Sequence, residues 1–553
     1  MEKFSYTTGI RWEKLFERYI LWMMLVYLTD VWKYNFTHAA AIINLWKGSA
    51  SILPTAFVYL ADAFLGQFFV LLLTSLSNTF GLALLWMSTP PVLAKAVGNC
   101  KEYKPECIGN LQKNFFYSAL VLTAIGIAGQ KAYFTVFEDN NQNFNNESTS
   151  DPDRNDANVI NIKSRSRRFL VGGSIGFIVP FIAIFVVAFA KSWDLYFGIM
   201  TIFTFASVIL LFTGIKSSQN NQPKGSPLTP VLRVIFDLII CNMFCKLLPS
   251  YQNNGINKTH QKSHPREPSE EQKNRREPSE TTEEEAKICL RMIPLWLTFT
   301  LFGLISSIGE TYFLEQATNM EHSIAGLKMP LILLLGLYDL GKSYYSWLCS
   351  RISERYLYKH HVPFVGIAVA MVFALLCCIT AAKVETRRLR FVRTHKSAQN
   401  MNVFWLLPQF ILLAAVDGIR EYCVQNLVLD QAPISLSRYF RFFQISFIGI
   451  GYIWSMILVL VVGKISQKMN GRNWFQSTLN KSRLDKYYWV LAAFSAVNLA
   501  VYIVVGLVAY FYRYKEQKKP VTEGSQIVGT TESLEDNHDN CSPAEIETMH
   551  DTH

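Results

Sequence analysis

Residues 487–512 read YYWVLAAFSAVNLAVYIVVGLVAYFY, a run of 26 residues without a single Asp, Glu, Lys or Arg. A helix needs about 20 mainly apolar residues to cross the hydrocarbon core of a bilayer. Similar runs, rich in Leu, Ile, Val and Phe, recur along the whole chain. The sequence therefore predicts an all-α membrane protein rather than a soluble domain with a few buried helices.

Twelve such runs predict twelve transmembrane helices, arranged as six, a gap and six. The predicted spans are residues 19–36, 39–62, 67–89, 115–137, 168–190, 193–214, 290–314, 327–349, 362–383, 403–426, 440–463 and 487–512. This pattern divides the chain into an N-terminal six-helix bundle at 1–214, a cytoplasmic and partly disordered linker at 215–288, a C-terminal six-helix bundle at 289–512 and a disordered cytoplasmic tail at 513–553. The weakly apolar start of the linker, residues 234–248, could form a helix at the membrane interface.

The composition excludes several classes of function. Only 17% of the 553 residues are charged, too few to cover a soluble surface of this size. The net charge of +11 would suggest nucleic acid as the partner of a soluble protein. Here most Lys and Arg lie between spans, where they set topology, so we expect a lipid bilayer and no nucleic acid. Because the sequence contains no zinc spacing and no Gly-rich phosphate loop, it predicts neither an enzyme nor a bound metal or cofactor.

The basic residues between spans predict that both termini are cytoplasmic. An even number of spans places the termini on one side, and the basic linker favours the cytoplasm. The ninth loop, residues 383–396, contains six basic residues and conflicts with this orientation, because it would face outward. On the same orientation Cys100 and Cys107 lie outside the cytosol, where an oxidising compartment would permit a disulfide between them.

Two six-helix halves joined by a linker are typical of the major facilitator superfamily, whose halves rock about a midplane site. Local motifs sharpen this interpretation, namely FWLLPQF at 404–410, DQAP at 430–433, RMIPLW at 291–296 and ADAFLGQF at 61–68. Ten further residues follow the spacing W-F…L-N…L-D-x-[FY]-[YF]-W-x-L: Trp474, Phe475, Leu479, Asn480, Leu484, Asp485, Tyr487, Tyr488, Trp489 and Leu491. The chain resembles the proton-dependent oligopeptide transporter family, most closely its plant nitrate and peptide branch. The resemblance implies the major facilitator fold.

The resemblance also implies roles for residues in the first half. Glu17 and Arg18 match the last two positions of the family's E-x-x-E-R motif, whose acids handle protons. Lys14 replaces the first acid of that motif, so proton coupling is expected to be weakened. An ordinary ion pair near a helix end is the alternative interpretation of Glu17 and Arg18. The segment AIGIAGQKA at 124–132 is similar to the family's G-x-G-G-x-K-P, which implies that Lys131 lines the transport cavity.

Charged residues inside a bilayer persist mainly where they pair or line a wet cavity. Asp417 aligns with an acidic position of the family and is a candidate proton site or gate. A local salt bridge with Arg420, three residues on, is the alternative. Glu310 would favour a cationic or neutral substrate over nitrate, unless it lies in water at the mouth of its helix. Ser306 and Tyr19 are further candidates for binding substrate, with packing as the alternative for Tyr19.

The resemblance implies a secondary active transporter, acting as a monomer, that moves nitrate, a peptide or an organic metabolite together with protons by alternating access. The missing first-helix acid keeps two alternatives open. One is an uncoupled facilitator, and the other is a non-transporting sensor or interaction protein built on a transporter fold. The family implies a plasma membrane or vacuolar membrane location without distinguishing between them, and it leaves the substrate open.

Overall fold

The structure is a computed structural model of the chain. The residues it describes are 23–90, 92, 108–147, 192–213, 225–247, 280–321, 323–324, 327–328, 331–355, 362–395 and 401–517. Nearly all of them are helical, as predicted, and a short hairpin pairs β1 (Ser323–Ile324) with β2 (Leu327–Lys328) in antiparallel fashion. The described residues up to Gly506 belong to one compact unit, and the end of the last helix belongs to a second.

The helices are numbered in chain order. Before the linker they are α1 (residues 23–30), α2 (Phe36–Leu60), α3 (Gln67–Met87), α4 (Asn110–Glu147) and α5 (Trp193–Thr213). After them come α6 (Leu228–Leu247), α7 (Glu280–Glu310), α8 (Tyr312–Thr318), α9 (Leu331–Arg355), α10 (Val362–His395), α11 (Leu407–Gln431), α12 (Ser437–Asn470) and α13 (Leu484–Gln517). A π-helical turn, Ala61–Leu65, continues α2, and Gly66 follows it with φ 78°, which a residue with a side chain rarely adopts.

Nine helices in the described part of the chain are long and apolar enough to cross a membrane. They coincide with nine of the twelve predicted spans. The eighth predicted span is the helix α9, whose hydropathy is lower because it contains polar residues such as Asp339 and Lys342. Residues 23–36 of the first span are described, and 23–30 of them are helical. The fifth predicted span lies outside the described residues.

Two predicted boundaries were wrong. The ninth loop is not a loop between 383 and 395, since α10 continues through these residues to His395. Arg388 is fully buried there, so it is not a loop charge of the kind that sets topology. Likewise α7 begins at Glu280, within the predicted linker. The start of the linker, which could form an interfacial helix, is helical in α6, and its position at the membrane interface stays a prediction.

Glycines let α12 pack closely against helices on both of its sides. A Cβ atom on Gly48 of α2 would lie 2.8 Å from the carbonyl oxygen of Gly449, too close for a normal contact. On the other side, a Cβ on Gly303 of α7 or on Gly451 of α12 would collide with a backbone oxygen of the facing helix. Small residues at such crossings allow membrane helices to approach backbone to backbone. The result is a tight layer in the order α2, α12, α7.

Candidate functional site

Asp417 lies at the centre of a buried hydrogen-bond network that joins three helices of the C-terminal half. Its Oδ1 accepts a hydrogen bond of 2.7 Å from Ser306 of α7, and its Oδ2 accepts one of 2.6 Å from the hydroxyl of Tyr338 of α9. The guanidinium of Arg420, one turn further along α11, lies 3.2 Å from Oδ1. The salt bridge with Arg420, which is the alternative interpretation of Asp417, is therefore present. Asp417 has further partners, because this residue, which is 2% exposed, ties α7, α9 and α11 together.

A second charged pair crosses from the first half of the chain to the second. Lys47 of α2 forms an ion pair with Glu310, the last residue of α7. The Lys47 side chain is 16% exposed and that of Glu310 is 12% exposed, so Glu310 does not lie in open water. The Lys47 ammonium also lies 4.7 Å from the ring centroid of Tyr452 on α12, a cation–π distance. The pair therefore sits where α2, α7 and α12 meet.

Small polar residues extend this contact between the halves. The hydroxyl of Ser307, next to Ser306 on α7, lies 2.7 Å from that of Ser455 on α12. Asn44 of α2, one turn before Lys47, donates a 3.5 Å hydrogen bond to Ser455. Within the described part of the chain, the buried Oδ1 of Asn44 and Oε2 of Glu310 accept no hydrogen bond. Buried acceptors usually find a donor, so these two oxygens mark a place where a donor can bind.

Another contact between the two halves of the chain lies at the C-terminal end of α2. Asp62, in the π-helical turn, accepts hydrogen bonds of 2.8 Å from Arg438 and from the hydroxyl of Tyr439, both at the start of α12. The Tyr439 hydroxyl also lies 2.8 Å from Ser226, just before the linker helix α6. At the N-terminal end of α2, the rings of Phe36 and Tyr312 are in edge-to-face contact, and their centroids are 6.0 Å apart. The two halves thus meet at both ends of α2.

The motif between Trp474 and Leu491 has a structural role that its spacing alone does not reveal. Arg388 and Glu385 of α10 form a two-pronged ion pair of 2.7 and 2.8 Å, and both side chains are completely buried. Arg388 donates a further 2.6 Å bond to Asn480 of the motif, and Gln316 donates a 2.6 Å bond to Glu385. The motif residue Asn480 thus closes a polar cluster inside the C-terminal half.

The predicted site residues fall into three groups, of which the third is Lys131 alone. Glu17, Arg18, Tyr19, Cys100 and Cys107 lie outside the described residues, so their roles and the disulfide stay predictions. The structure brings Ser306, Glu310 and Asp417 onto neighbouring helices, as the two networks above show.

Lys131 lies on α4, a helix that neither network includes. Its half-buried position follows from the packing of α4 on α3. A Cβ on Gly126 or Gly129 would collide with Asn78 or Thr74 of α3, so the glycines of this motif bring the two helices together. The cavity role of Lys131 stays a prediction.

Sequence reasoning missed two residues of the site. Lys47 is a cation in the middle of the second predicted span, so the rule that drew attention to Glu310 and Asp417 also applies to it. Tyr338 gave no such signal, because a tyrosine in an apolar helix is usually a packing residue. Its hydrogen bond to Asp417 depends on how α9 packs against α11, which local sequence does not encode.

Membrane-length helices whose two halves meet through buried charged side chains have the architecture of a solute transporter. The POT family, PTR2, matches residues 68–475. Protein NRT1/PTR FAMILY 5.5 of Arabidopsis thaliana is 31% identical, over 91% of this chain and 96% of that protein. Protein NRT1/PTR FAMILY 5.7 of the same plant is 26% identical, over 92% and 88%. The chain therefore belongs to the POT family of transporters.

Solved structures agree with this assignment at the level of the fold. An auto-inhibited POT family peptide transporter superposes with a TM-score of 0.59 at 13% identity, covering 91% of this chain and 96% of the other. A POT family transporter in complex with 5-aminolevulinic acid gives a TM-score of 0.55 at 13% identity, over 91% and 95%. The predicted family and the major facilitator fold are thus confirmed.

Proposed function

We propose that the protein is a secondary transporter that moves a small solute across a membrane by alternating access, coupled to protons. The observation that carries the proposal is the buried site at Asn44, Lys47 and Glu310, where the two halves meet. It combines an ion pair with two buried oxygen atoms that lack a donor in the described part of the chain. A solute or a proton that binds there can alter the contact between the halves.

Alternating access requires contacts between the halves that break and re-form. The hydrogen bonds of Asp62 with Arg438 and Tyr439 at one end of α2, and the Phe36–Tyr312 contact at the other, are suited to this role. Each end can open only if its own contacts separate. The glycine crossing of α2 and α12 lies between these ends, and the close approach of the two backbones there supplies a pivot.

Proton coupling fits the chemistry of this site. Protonation of Glu310 would remove the charge that holds Lys47, and so weaken an attraction between α2 and α7. Asp417 is held by three partners on two neighbouring helices and its own, so its protonation would loosen the C-terminal half. Loss of the first acid of the E-x-x-E-R motif leaves these two carboxylates, with Glu17, as the candidate proton carriers. Lys131 and Arg18 supply the positive charges that neutralise acids of the first half.

The site favours a substrate that donates hydrogen bonds. Glu310 and Asn44 both present buried acceptor oxygens, which suit an amine, ammonium or amide group. Lys47 can balance a carboxylate on the same solute. A zwitterionic or neutral organic solute, such as a short peptide or an amino acid derivative, meets these requirements better than nitrate. Among the neighbours, one solved POT family transporter holds a thioalcohol conjugated peptide and another holds 5-aminolevulinic acid.

The test is uptake by the purified protein in proteoliposomes, with an imposed proton gradient and without one. A panel of dipeptides, amino acid derivatives and nitrate is compared for the parent, Asp417→Ala, Lys131→Ala and Glu310→Gln. Arg355→Gln is the matched control, because this exposed arginine lies at the end of α9, away from the networks. We expect gradient-driven uptake of a dipeptide or amino acid derivative by the parent and by the control, and its loss in the three site variants.

Other outcomes identify the alternatives. Uptake that is equal with and without the proton gradient would mean a facilitator that has lost coupling. No uptake of any solute, by a protein whose thermal stability in the same lipid is normal, would contradict transport and favour a sensor on a transporter fold. Nitrate uptake without peptide uptake would overturn the preference argued from Glu310 and Asn44.

A further inference from the structure

The helix α10 is too long to lie within the hydrocarbon core of a bilayer. Its 34 residues span about 51 Å at a rise of about 1.5 Å per residue, whereas the core is about 30 Å thick. Residues 362–382 contain no charged side chain, and Lys383 is the first. The end of the helix that begins at Lys383 therefore lies at the level of the lipid headgroups.

This end of α10 has two faces of opposite character. The inner face buries Glu385 against Arg388, and their charges satisfy each other. The outer face, called the basic face from here on, lines a groove of about 410 Å³ and consists of Lys383, Thr386, Arg387, Arg390, Phe391 and Thr394. Its three cations form no ion pair with any described residue, and Glu385 is the only acid between 383 and 395. No acid of the described ranges therefore compensates the row of positive charge on the basic face.

Trp405 independently marks the same level of the membrane. It lies just before α11 and is exposed, and the centroid of its ring is 3.7 Å from the guanidinium carbon of Arg387. Exposed Trp side chains concentrate at the boundary between hydrocarbon and headgroups. Phe404 beside it is also exposed. Both the exposed Trp405 and the basic face that it contacts are typical of the headgroup boundary. The two features therefore indicate the same depth in the membrane.

We infer that the basic face binds the phosphate headgroup of an anionic phospholipid. A phosphate accepts several hydrogen bonds, and Arg387 and Arg390 supply forked donors one turn apart, with Lys383 as a further cation and the hydroxyls of Thr386 and Thr394 at the edges. The apolar half of α10 below the groove, with exposed Val365, Val369, Val372 and Leu376, offers a surface for the acyl chains. A free anion would gain no such second contact.

The experiment uses the full chain purified in a neutral detergent and titrated with fluorescent phosphatidylglycerol or phosphatidylcholine that carry the same acyl chains. The test variant is Lys383→Gln with Arg387→Gln and Arg390→Gln. The matched control is Lys464→Gln with Lys468→Gln and Arg472→Gln, which removes the same charge from exposed positions at the end of α12. Inorganic phosphate serves as a competitor, and the thermal midpoint of each variant reports whether it is folded.

The parent should bind phosphatidylglycerol at least ten-fold more tightly than phosphatidylcholine, and added salt should reduce that preference. Each surface cation contributes about a five-fold effect, so the triple variant should lose most of the preference, and the control variant should keep it. Equal phosphatidylglycerol binding by the parent and the triple variant would overturn the inference. Displacement of the lipid by inorganic phosphate at equal concentration would assign the face to free anions instead, and would also refute it.

Discussion

Lys47 of α2 and Glu310 of α7 form an ion pair between the first and second halves of the chain, one residue away from the glycine at which α2 crosses α12. Both side chains are largely buried, so neither charge is well solvated when the other is removed. The pair is therefore sensitive to any change of protonation or of bound solute at this contact.

The ion pair predicts a specific response to charge changes. Lys47→Ala and Glu310→Gln should each lower gradient-driven uptake at least ten-fold, because each leaves a buried partner without its counter-charge. The double exchange Lys47→Glu with Glu310→Lys should recover part of the uptake. Initial rates in proteoliposomes, normalised to the amount of inserted protein, measure both effects. Normal uptake by both single variants would show that the ion pair has no part in transport.

The Asp417 network predicts that Tyr338 supports transport through Asp417 rather than by touching solute. Tyr338→Phe removes only the hydroxyl that donates the 2.6 Å bond. It should reduce uptake several-fold and change the dependence of uptake on external pH, with little effect on half-saturation by the solute. In an Asp417→Asn background the same substitution should add little further loss, because coupled residues do not act additively. Fully additive losses would mean that the two residues act separately.

Much of the fold could be predicted because bilayer chemistry acts locally. The runs 362–382 and 487–512 can be recognised as membrane spans because they are uncharged and of membrane length. The end of α10 was missed because hydropathy falls at Lys383, although the helix continues. Its inner face remains buried beyond that point through Val384, Glu385, Arg388 and Leu389, a spacing typical of a helix with one buried side.

Less of the site could be predicted, because it is made of contacts between helices far apart in sequence. Asp417 and Glu310 stand out as charges in apolar spans. Their partners do not: Tyr338 looks like a packing residue, and the proximity of Lys47 to Glu310 depends on how α12 is placed between α2 and α7. Asn480 was recognisable as part of a motif, but only the structure shows that it binds Arg388.

The buried cluster of Arg388 predicts an asymmetric effect on stability. Arg388→Met alone leaves Glu385 buried without its cation and should cost about 3–5 kcal/mol of the free energy of unfolding. Glu385→Gln combined with Arg388→Met removes both charges and should cost clearly less. Exposed Arg393→Gln, on the same helix, should change stability by less than about 0.5 kcal/mol. Thermal midpoints in one detergent give the order, and a double variant less stable than Arg388→Met would contradict it.

The glycine crossings predict that a single methyl group disturbs the contact between helices. In Gly451→Ala the new Cβ would meet the backbone carbonyl of Thr300, which cannot rotate away as a side chain would. We expect a loss of about 1–3 kcal/mol of stability, as for other overpacked sites. Gly336→Ala on α9 is the matched control, because no described atom beyond the adjoining helix backbone lies within 4 Å of its added Cβ. There the substitution should be neutral or stabilising by up to about 1 kcal/mol through higher helix propensity. Thermal unfolding of the two variants beside the parent measures the difference, and equal midpoints for both would show that α7 and α12 do not approach as closely as the structure has them.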